Sequence, residues 1–385
     1  MLNLFFAVIL PLAISALTSF YCIPILVFTA KKLNITSKVN PRSASQVAIP
    51  LLGGVAISLS MMLSVLLLGG YFQASNLWVY IIASVIIIHM GLKDDIFGLS
   101  PGRKLLIETL TILLLCVFGY ARIIHVHGLF QIYELPQGLS IISTIFIVVL
   151  IMNAFNLSDG IDGLASGIGI IASTTLGIGF YINEIYELAF ISFSLTGGLI
   201  SFFYFNVFSK KNKLLMGDTG SLFTGLMIAL LVIQFNEIPN PEYFDLLPLK
   251  TVPIVIFSIL IYPLVDLAQV VVGRLMIGKH PFHADRNHLH HKLLNRNITH
   301  KKTTMIILGV NLAFIIMNLL LNTLNLYLLI AINGFAILTL LFIIDKYSGI
   351  KRSAQSLYVE YKQKDGTDLE AVYTETNRAN EQASS

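Results

Sequence analysis

Long apolar runs recur along the chain, near residues 4–29, 47–70, 76–91, 105–121, 139–155, 164–182, 188–208, 220–235, 252–273, 304–322 and 324–344. Crossing the hydrocarbon of a bilayer takes about 20 apolar residues in a helix. Lipid offers no partner to an open backbone amide, so runs of this length predict helices. The pattern therefore predicts an all-α, polytopic integral membrane protein with about eleven transmembrane helices. The third and eighth runs are short, and only Asn322 to Asn325 divide the tenth from the eleventh. Beyond Asp345 the chain turns polar, and residues 346–385 are expected to form a tail, disordered towards its end.

Composition agrees with this pattern. Of the 385 residues, 56% are hydrophobic and 12% charged, against roughly 25% charged in soluble domains. Cys22 and Cys116 each lie inside an apolar run, where core thiols are expected and a disulfide framework is not. No basic segment and no small-residue cleavage site mark the N-terminus, so its apolar run is read as a first spanning helix.

Charge changes the picture by its location. With eleven spans, residues 30–46, 92–104, 156–163, 209–219, 274–303 and the tail share one side, which carries every Lys and Arg except Arg122 and Lys250. The positive-inside rule then places the N-terminus outside and the C-terminus in the cytoplasm. The expected organisation is a transmembrane catalytic domain over residues 1–345, a site on its cytoplasmic face, and a cytoplasmic tail.

Polar clusters interrupt the apolar runs on that same side. Asp94 and Asp95 follow the third run, and adjacent carboxylates repel unless a cation lies near them. Pro101 suits the first turn of the next helix, with Ser100 as its N-cap. Between Asn153 and Gly163, Asn156, Asp159 and Asp162 recur every three residues, so a helix there would place them on one face. An Asx/Gly turn is the plain alternative for that stretch. Hard oxygen ligands of this kind suit Mg²⁺ or Mn²⁺, and Mg²⁺ combines one or two carboxylates with substrate phosphates. Asp218, in Gly217-Asp-Thr-Gly-Ser221, stands where a helix would begin, and helix N-termini favour phosphate. Lys210, Lys211 and Lys213 lie just upstream, placed to hold phosphates or anionic headgroups.

The longest of these loops holds His283, Asp285, Arg286, His288, His290 and His291. With no cysteine and with adjacent histidines, a zinc site is disfavoured. Histidines beside Arg286 suit a pyrophosphate or a sugar, and one of them suits a general acid. Asp266 differs from the rest in lying inside the ninth apolar run, after Pro263. An intramembrane acid is a functional candidate by default, and pairing with Arg274 is its structural alternative.

These residues together resemble the polyprenyl-phosphate N-acetylhexosamine-1-phosphate transferases, of glycosyltransferase 4 type. The matching stretches are Gly53-Gly54 after Ile49-Pro50, Asp94 to Pro101 with Lys104 and Glu108, Asn153 to Ala165, Met216 to Leu222, and Pro281 to Leu294. They occur in the family's order from about residue 40 to 295. The His288-Leu-His290-His291 form is similar to the branch that uses UDP-GlcNAc, which starts O-antigen, enterobacterial common antigen or teichoic acid on undecaprenyl phosphate. Two departures stand out. Ser45 occupies the place of a histidine, and Lys213-Leu214-Leu215 keeps the family's lysine without its aromatic residue.

The resemblance implies transfer of a sugar 1-phosphate to undecaprenyl phosphate with release of UMP. It implies Mg²⁺ (or Mn²⁺) on Asp218 and Asn156, and catalytic roles for Asp94, Asp95, Asp159, His290 and His291. Substrate contacts are expected from Asn153, Asp162, Lys104, Lys213, His283, Asp285, Arg286 and His288. The expected partners are UDP-GlcNAc, undecaprenyl phosphate, the lipid bilayer and a second copy in a homodimer, with no nucleic acid. The implied location is the cytoplasmic membrane of a bacterium. Another UDP-N-acetylhexosamine, or UDP-MurNAc-pentapeptide, is the alternative donor. An ion-coupled transporter is the alternative of another class; it would place ionisable groups near the bilayer midplane, where this chain has Asp266.

Overall fold

The computed structural model describes residues 2–37, 48–72, 77–238, 252–276, 278, 288–294 and 298–365. A helix coincides with each of the predicted apolar runs. They are α1 (Leu2–Lys32), α2 (Gly53–Leu68), α3 (Leu77–Phe97), α4 (Pro101–Val117), α5 (Gln137–Ser158), α6 (Leu164–Ile182), α7 (Tyr186–Val207) and α8 (Gly217–Asn236). The ninth run is divided into α9 (Val252–Ile259) and α10 (Ile261–Met276). After the short α11 (Leu289–Leu294) come α12 (His300–Leu320) and α13 (Leu326–Asp365). Among the described residues, 8 helices are long and apolar enough to cross a membrane, or 9 if the bent α9–α10 pair is one span. The two remaining runs hold α3, whose last turns carry Lys93, Asp94 and Asp95, and α4, with 17 residues. The chain is thus an all-α, multi-pass membrane protein. Helix α13 continues to Asp365, past the last apolar run, and residues 366–385 lie outside the described residues.

Helix α8 is the axis of the bundle. It is buried along nearly its whole length and packs against α2, α3, α5 and α6. Its first turns are rich in small residues (Gly217, Thr219, Gly220, Ser221, Thr224, Gly225), which let neighbouring backbones come close, as membrane helices require. Hydroxyl pairs tie the other helices across their seams. Ser64 and Ser194 lie 2.9 Å apart, Ser173 and Thr196 2.7 Å, and the Ser15 hydroxyl donates to Ser60 at 3.1 Å. In a lipid environment each such bond contributes about 0.6–2 kcal/mol.

Helices α9 and α10 meet at 74°, with Leu260 between them and Pro263 in the first turn of α10. Pro263 has no N–H to continue the ladder. The buried Asn311 of α12 covers the break: its amide donates to the Ile259 carbonyl at 3.2 Å, and its side-chain oxygen accepts from the Tyr262 N–H at 3.4 Å. The bend redirects α10, and with it Asp266.

One element was not expected from the apolar pattern. Residues 125–134, between α4 and α5, form a hairpin of β1 (His125–Leu129) and β2 (Ile132–Glu134). Glu237, just beyond α8, accepts from the Ile124 and His125 N–H groups at 2.9 and 3.2 Å and lies 2.6 Å from His125 Nδ1. The hairpin closes the end of the bundle opposite the polar clusters. Its strands are too short to announce themselves by alternation.

Candidate active site

The polar clusters converge around the N-terminus of α8. Asp218 is the second residue of that helix, preceded by Gly217 at φ +69°, a left-handed conformation that favours glycine. The first N–H groups of a helix lack intrahelical acceptors. Here Asp95 supplies one: its carboxylate accepts from the N–H of Asp218 at 2.8 Å, the N–H of Thr219 at 3.1 Å and the Thr219 hydroxyl at 2.6 Å. Asp95 thus caps α8 from another helix. The stretch before Gly217 is held by the Gly53-Gly54 segment. Gly53 and Gly54 donate to the Leu215 and Met216 carbonyls, both at 3.0 Å, and Leu215 donates to the Pro50 carbonyl at 2.8 Å.

Beside that cap the neighbouring carboxylate takes a different partner. The Lys104 ammonium ion-pairs with both Asp94 and Asp218. Asp94 also accepts from the Leu99 N–H at 2.5 Å. On the other side of Asp218, the Asn156 amide donates to Asp218 Oδ1 and to Ser221 Oγ, both at 2.9 Å. One turn earlier on α5, the Asn153 amide donates to the buried Glu108 at 2.8 Å. Lys104 and Glu108 lie one turn apart on α4, so this helix supplies both a cation and an acid to the same centre.

The turn from Asp159 to Gly163 closes the site. Asp159 accepts from the Gly217 backbone N–H; burial, with Asp218 and Asp95 nearby, holds its carboxyl well above the usual carboxylate range. Asp162 turns away from this group and receives Lys213 Nζ at 2.5 Å. Its carbonyl accepts from the Thr304 hydroxyl of α12 at 2.8 Å. The buried Asn206 ties the turn to the next segment: its side-chain oxygen accepts from Gly163 N–H at 2.6 Å and its amide donates to the Leu214 carbonyl at 2.8 Å.

The histidine motif completes one wall. A Cβ added at Gly160 would stand 2.7 Å from His290 Nε2, so the ring lies directly on this turn. His290 Nδ1 lies 3.3 Å from the Tyr262 hydroxyl. Burial, aided by the neighbouring histidines, pulls the His290 pKa down to about 4 and keeps the ring neutral at pH 7. His288 Nδ1 lies 2.8 Å from Asp266 Oδ2, and the rings of His290 and His291 lie 4.4 Å apart. His283, Asp285 and Arg286 lie outside the described residues.

Two expectations are corrected. Asp94 and Asp95 are not in a loop: α3 runs to Phe97 and carries both. Packing of that last turn against the α8 terminus, through the Asp95 bonds, outweighs its polarity. Nor do Asn156, Asp159 and Asp162 share a helix face. Helix α5 ends at Ser158, Asp159 is its C-cap, and Asp162 faces Lys213 in the turn. The Asx/Gly turn prevails there. Asp266, read from the sequence as a functional candidate or a partner for Arg274, meets His288 Nδ1 and the Leu289 N–H, contacts the sequence did not suggest. Asn206 and Gln269 carried no sequence signal, because an isolated amide in an apolar run has no pattern.

The fold and the site define a multi-pass membrane protein with a cluster of acidic residues, joined by Lys104, at one end of its helix bundle. A model of the glycosyl transferase family 4 matches residues 77–236, the span from α3 through α8 that contains this centre. Relatives extend the likeness. The undecaprenyl-phosphate alpha-N-acetylglucosaminyl 1-phosphate transferase of Escherichia coli (strain K12) is 25% identical over 281 residues, 72% of this chain and 74% of the relative. The protein of that name from Yersinia pestis is 28% identical over 286 residues, again 72% and 74%. The decaprenyl-phosphate N-acetylglucosaminephosphotransferase of Mycobacterium tuberculosis (strain ATCC 25618 / H37Rv) is 29% identical over 299 residues, 72% of this chain and 73% of the relative. The chain is thus similar to glycosyl transferase family 4 over the span that holds this centre, and to these transferases over 72% of its length.

Proposed function

We propose that the protein transfers N-acetylglucosamine 1-phosphate from UDP-GlcNAc to undecaprenyl phosphate, the first membrane step of a cell-surface polysaccharide. The observation that carries this reading is the joining of Asp94, Lys104, Asn156 and Asp218 at the N-terminus of α8. The names of the relatives supply the substrate class. A phosphate oxygen of the lipid attacks the β-phosphorus of UDP-GlcNAc. The β-phosphorus–oxygen bond to the α-phosphate breaks, and UMP leaves with the electron pair. Phosphoryl transfer of this type needs in-line positioning and charge neutralisation more than covalent help.

The residues suit those needs. Lys104, already bridging two carboxylates, marks a position where a cation is stable between Asp94 and Asp218. Asp218 and Asn156 would hold Mg²⁺ beside it, on the other oxygen of Asp218. Among the described residues no three His, Cys, Asp or Glu side chains group around an ion, so substrate phosphates would complete the shell, as is usual for Mg²⁺. When bound, the ion would supply positive charge to the phosphate oxygens. Asp94, adjoining this position, orients the lipid phosphate; that group is already ionised near pH 7, so a strong base is not required. Asp159 and the Asp162–Lys213 pair form the nucleotide side, and the neutral His290 hydrogen-bonds the pyrophosphate or the sugar. The charge asymmetry between the two sets of loops supports a site that faces the cytoplasm.

The direct test supplies membranes with undecaprenyl phosphate, Mg²⁺ and a panel of UDP-N-acetylhexosamines, and follows UMP. UDP-GlcNAc is expected to be the best donor. No UMP from any donor would sink the reading; a preference for another sugar would keep the chemistry and move the donor. In the same assay Gly160→Ala should lower turnover by roughly tenfold to a hundredfold, since an ångström of misplacement is costly at a reacting centre. Its Cβ would push His290 off the turn while leaving the helices intact. Wild-type turnover would show that His290 does not need this seat.

A further inference from the structure

One face of α10 cradles the histidine motif, although it belongs to none of the recognised motif stretches. Tyr262, Asp266 and Gln269 are spaced by four and three residues and so share that face. Each meets a different residue of the motif segment. The Tyr262 hydroxyl meets His290 Nδ1 at 3.3 Å. Asp266 Oδ2 meets His288 Nδ1 at 2.8 Å, and Asp266 Oδ1 accepts from the Leu289 N–H at 2.6 Å. Gln269 Oε1 accepts from Lys292 Nζ at 3.1 Å, while the Gln269 amide donates back to Asp266 Oδ1 at 3.2 Å. The 74° bend before α10, covered by Asn311, aims this face at the motif.

Asp266 is 1% exposed and His288 6%. Burying a carboxylate and its partner is weak evidence for stability, since desolvation can exceed the attraction. It is a strong device for fixing geometry. A carboxylate opposite Nδ1 holds the imidazole proton on Nδ1 and leaves Nε2 as the acceptor, the arrangement that orients histidines in acid–base and metal sites. The same carboxylate caps the first N–H of α11. It therefore sets both the tautomer of His288 and the place of the segment whose next ring, His290, lies on Gly160.

We propose that Asp266 is a positioning residue for the transfer: it fixes His288 with its proton on Nδ1 and seats the histidine motif over the turn at Gly160. The proposal rests on the transferase reading for its consequence in turnover, but not for its geometry. The decisive variant is Asp266→Asn. It keeps the size and an oxygen for the Leu289 N–H, yet it presents an amide N–H₂ to Nδ1, so the His288 proton must move to Nε2.

Nitrogen-15 spectra of histidine-labelled protein in bilayers, with His288 assigned through His288→Gln, read the tautomer directly. The expected result is a proton on Nδ1 in the wild type and on Nε2 in Asp266→Asn. A wild-type proton on Nε2, or a tautomer that does not change in the variant, overturns the proposal whatever the enzyme does. In the UMP assay, Asp266→Asn should lower kcat by about tenfold to a hundredfold, as outer-shell changes do, with KM for UDP-GlcNAc within about threefold of wild type and an unchanged melting midpoint. Adding Asp266→Asn to His288→Gln should cost no further kcat, because the two residues act as a unit. A kcat within about twofold of wild type, or full additivity in the double variant, would also overturn it. Absence of UMP from the wild type with every donor would remove the transferase reading and leave the spectra to decide the Asp266–His288 contact.

Discussion

Asp218→Ala should abolish UMP release from UDP-GlcNAc, by at least about a thousandfold, at every Mg²⁺ concentration tried. The Asp218 carboxylate is where the separate contributions meet: Lys104 from α4 on one oxygen and Asn156 from α5 on the other. Removing it takes away the proposed anchor of the metal and of the ordered Lys104 at once. Added Mg²⁺ cannot compensate for a ligand that no longer exists. The fold should survive, because the cap on α8 uses the backbone N–H of residue 218 and not its side chain. The measurement is turnover beside a melting curve in the same detergent. A well-folded Asp218→Ala enzyme with near-normal rates would take this residue out of the proposed centre.

Asp95→Ala should fail differently, through stability first. Three donors at the start of α8 converge on this one carboxylate, and two of them are backbone N–H groups with no intrahelical acceptor. Losing a charged acceptor from buried donors costs about 3 kcal/mol, and losing an N-cap alone costs about 1 kcal/mol. The melting midpoint should fall by several degrees, and turnover should drop by about a hundredfold as the α8 terminus shifts under Asp218. Asp95→Asn keeps an acceptor and should melt between the two. An Asp95→Ala protein that melts with the wild type would show that the cap is dispensable.

The contrast between these neighbours shows where sequence reasoning stops. Asp94 and Asp95 look interchangeable in the chain. In the structure one meets Lys104 and the other caps a helix, because successive residues on a helix point about a hundred degrees apart. The Asn153 to Gly163 stretch gives a similar lesson. Its three-residue spacing is compatible with a helix face, and only the end of α5 at Ser158 decides for a turn. Asp266 was visible as an acid in an apolar run, but its partner lies 22 residues on. The hairpin at 125–134 and the bridging role of Asn206 were not legible at all.

By itself the sequence determined what depends on period, length and residue type. The eleven apolar runs specify helices because lipid leaves an unpaired backbone no alternative. The uneven basic residues predict an orientation, and the oxygen-bearing side chains beside histidines led to the class of chemistry proposed above. Only the tertiary structure decided which polar groups meet. Contacts such as Lys104 with Asp218, Asn206 between two loops, and Asp266 with His288 join residues far apart in the chain. Their formation depends on how helices pack and bend, and no local pattern encodes that geometry.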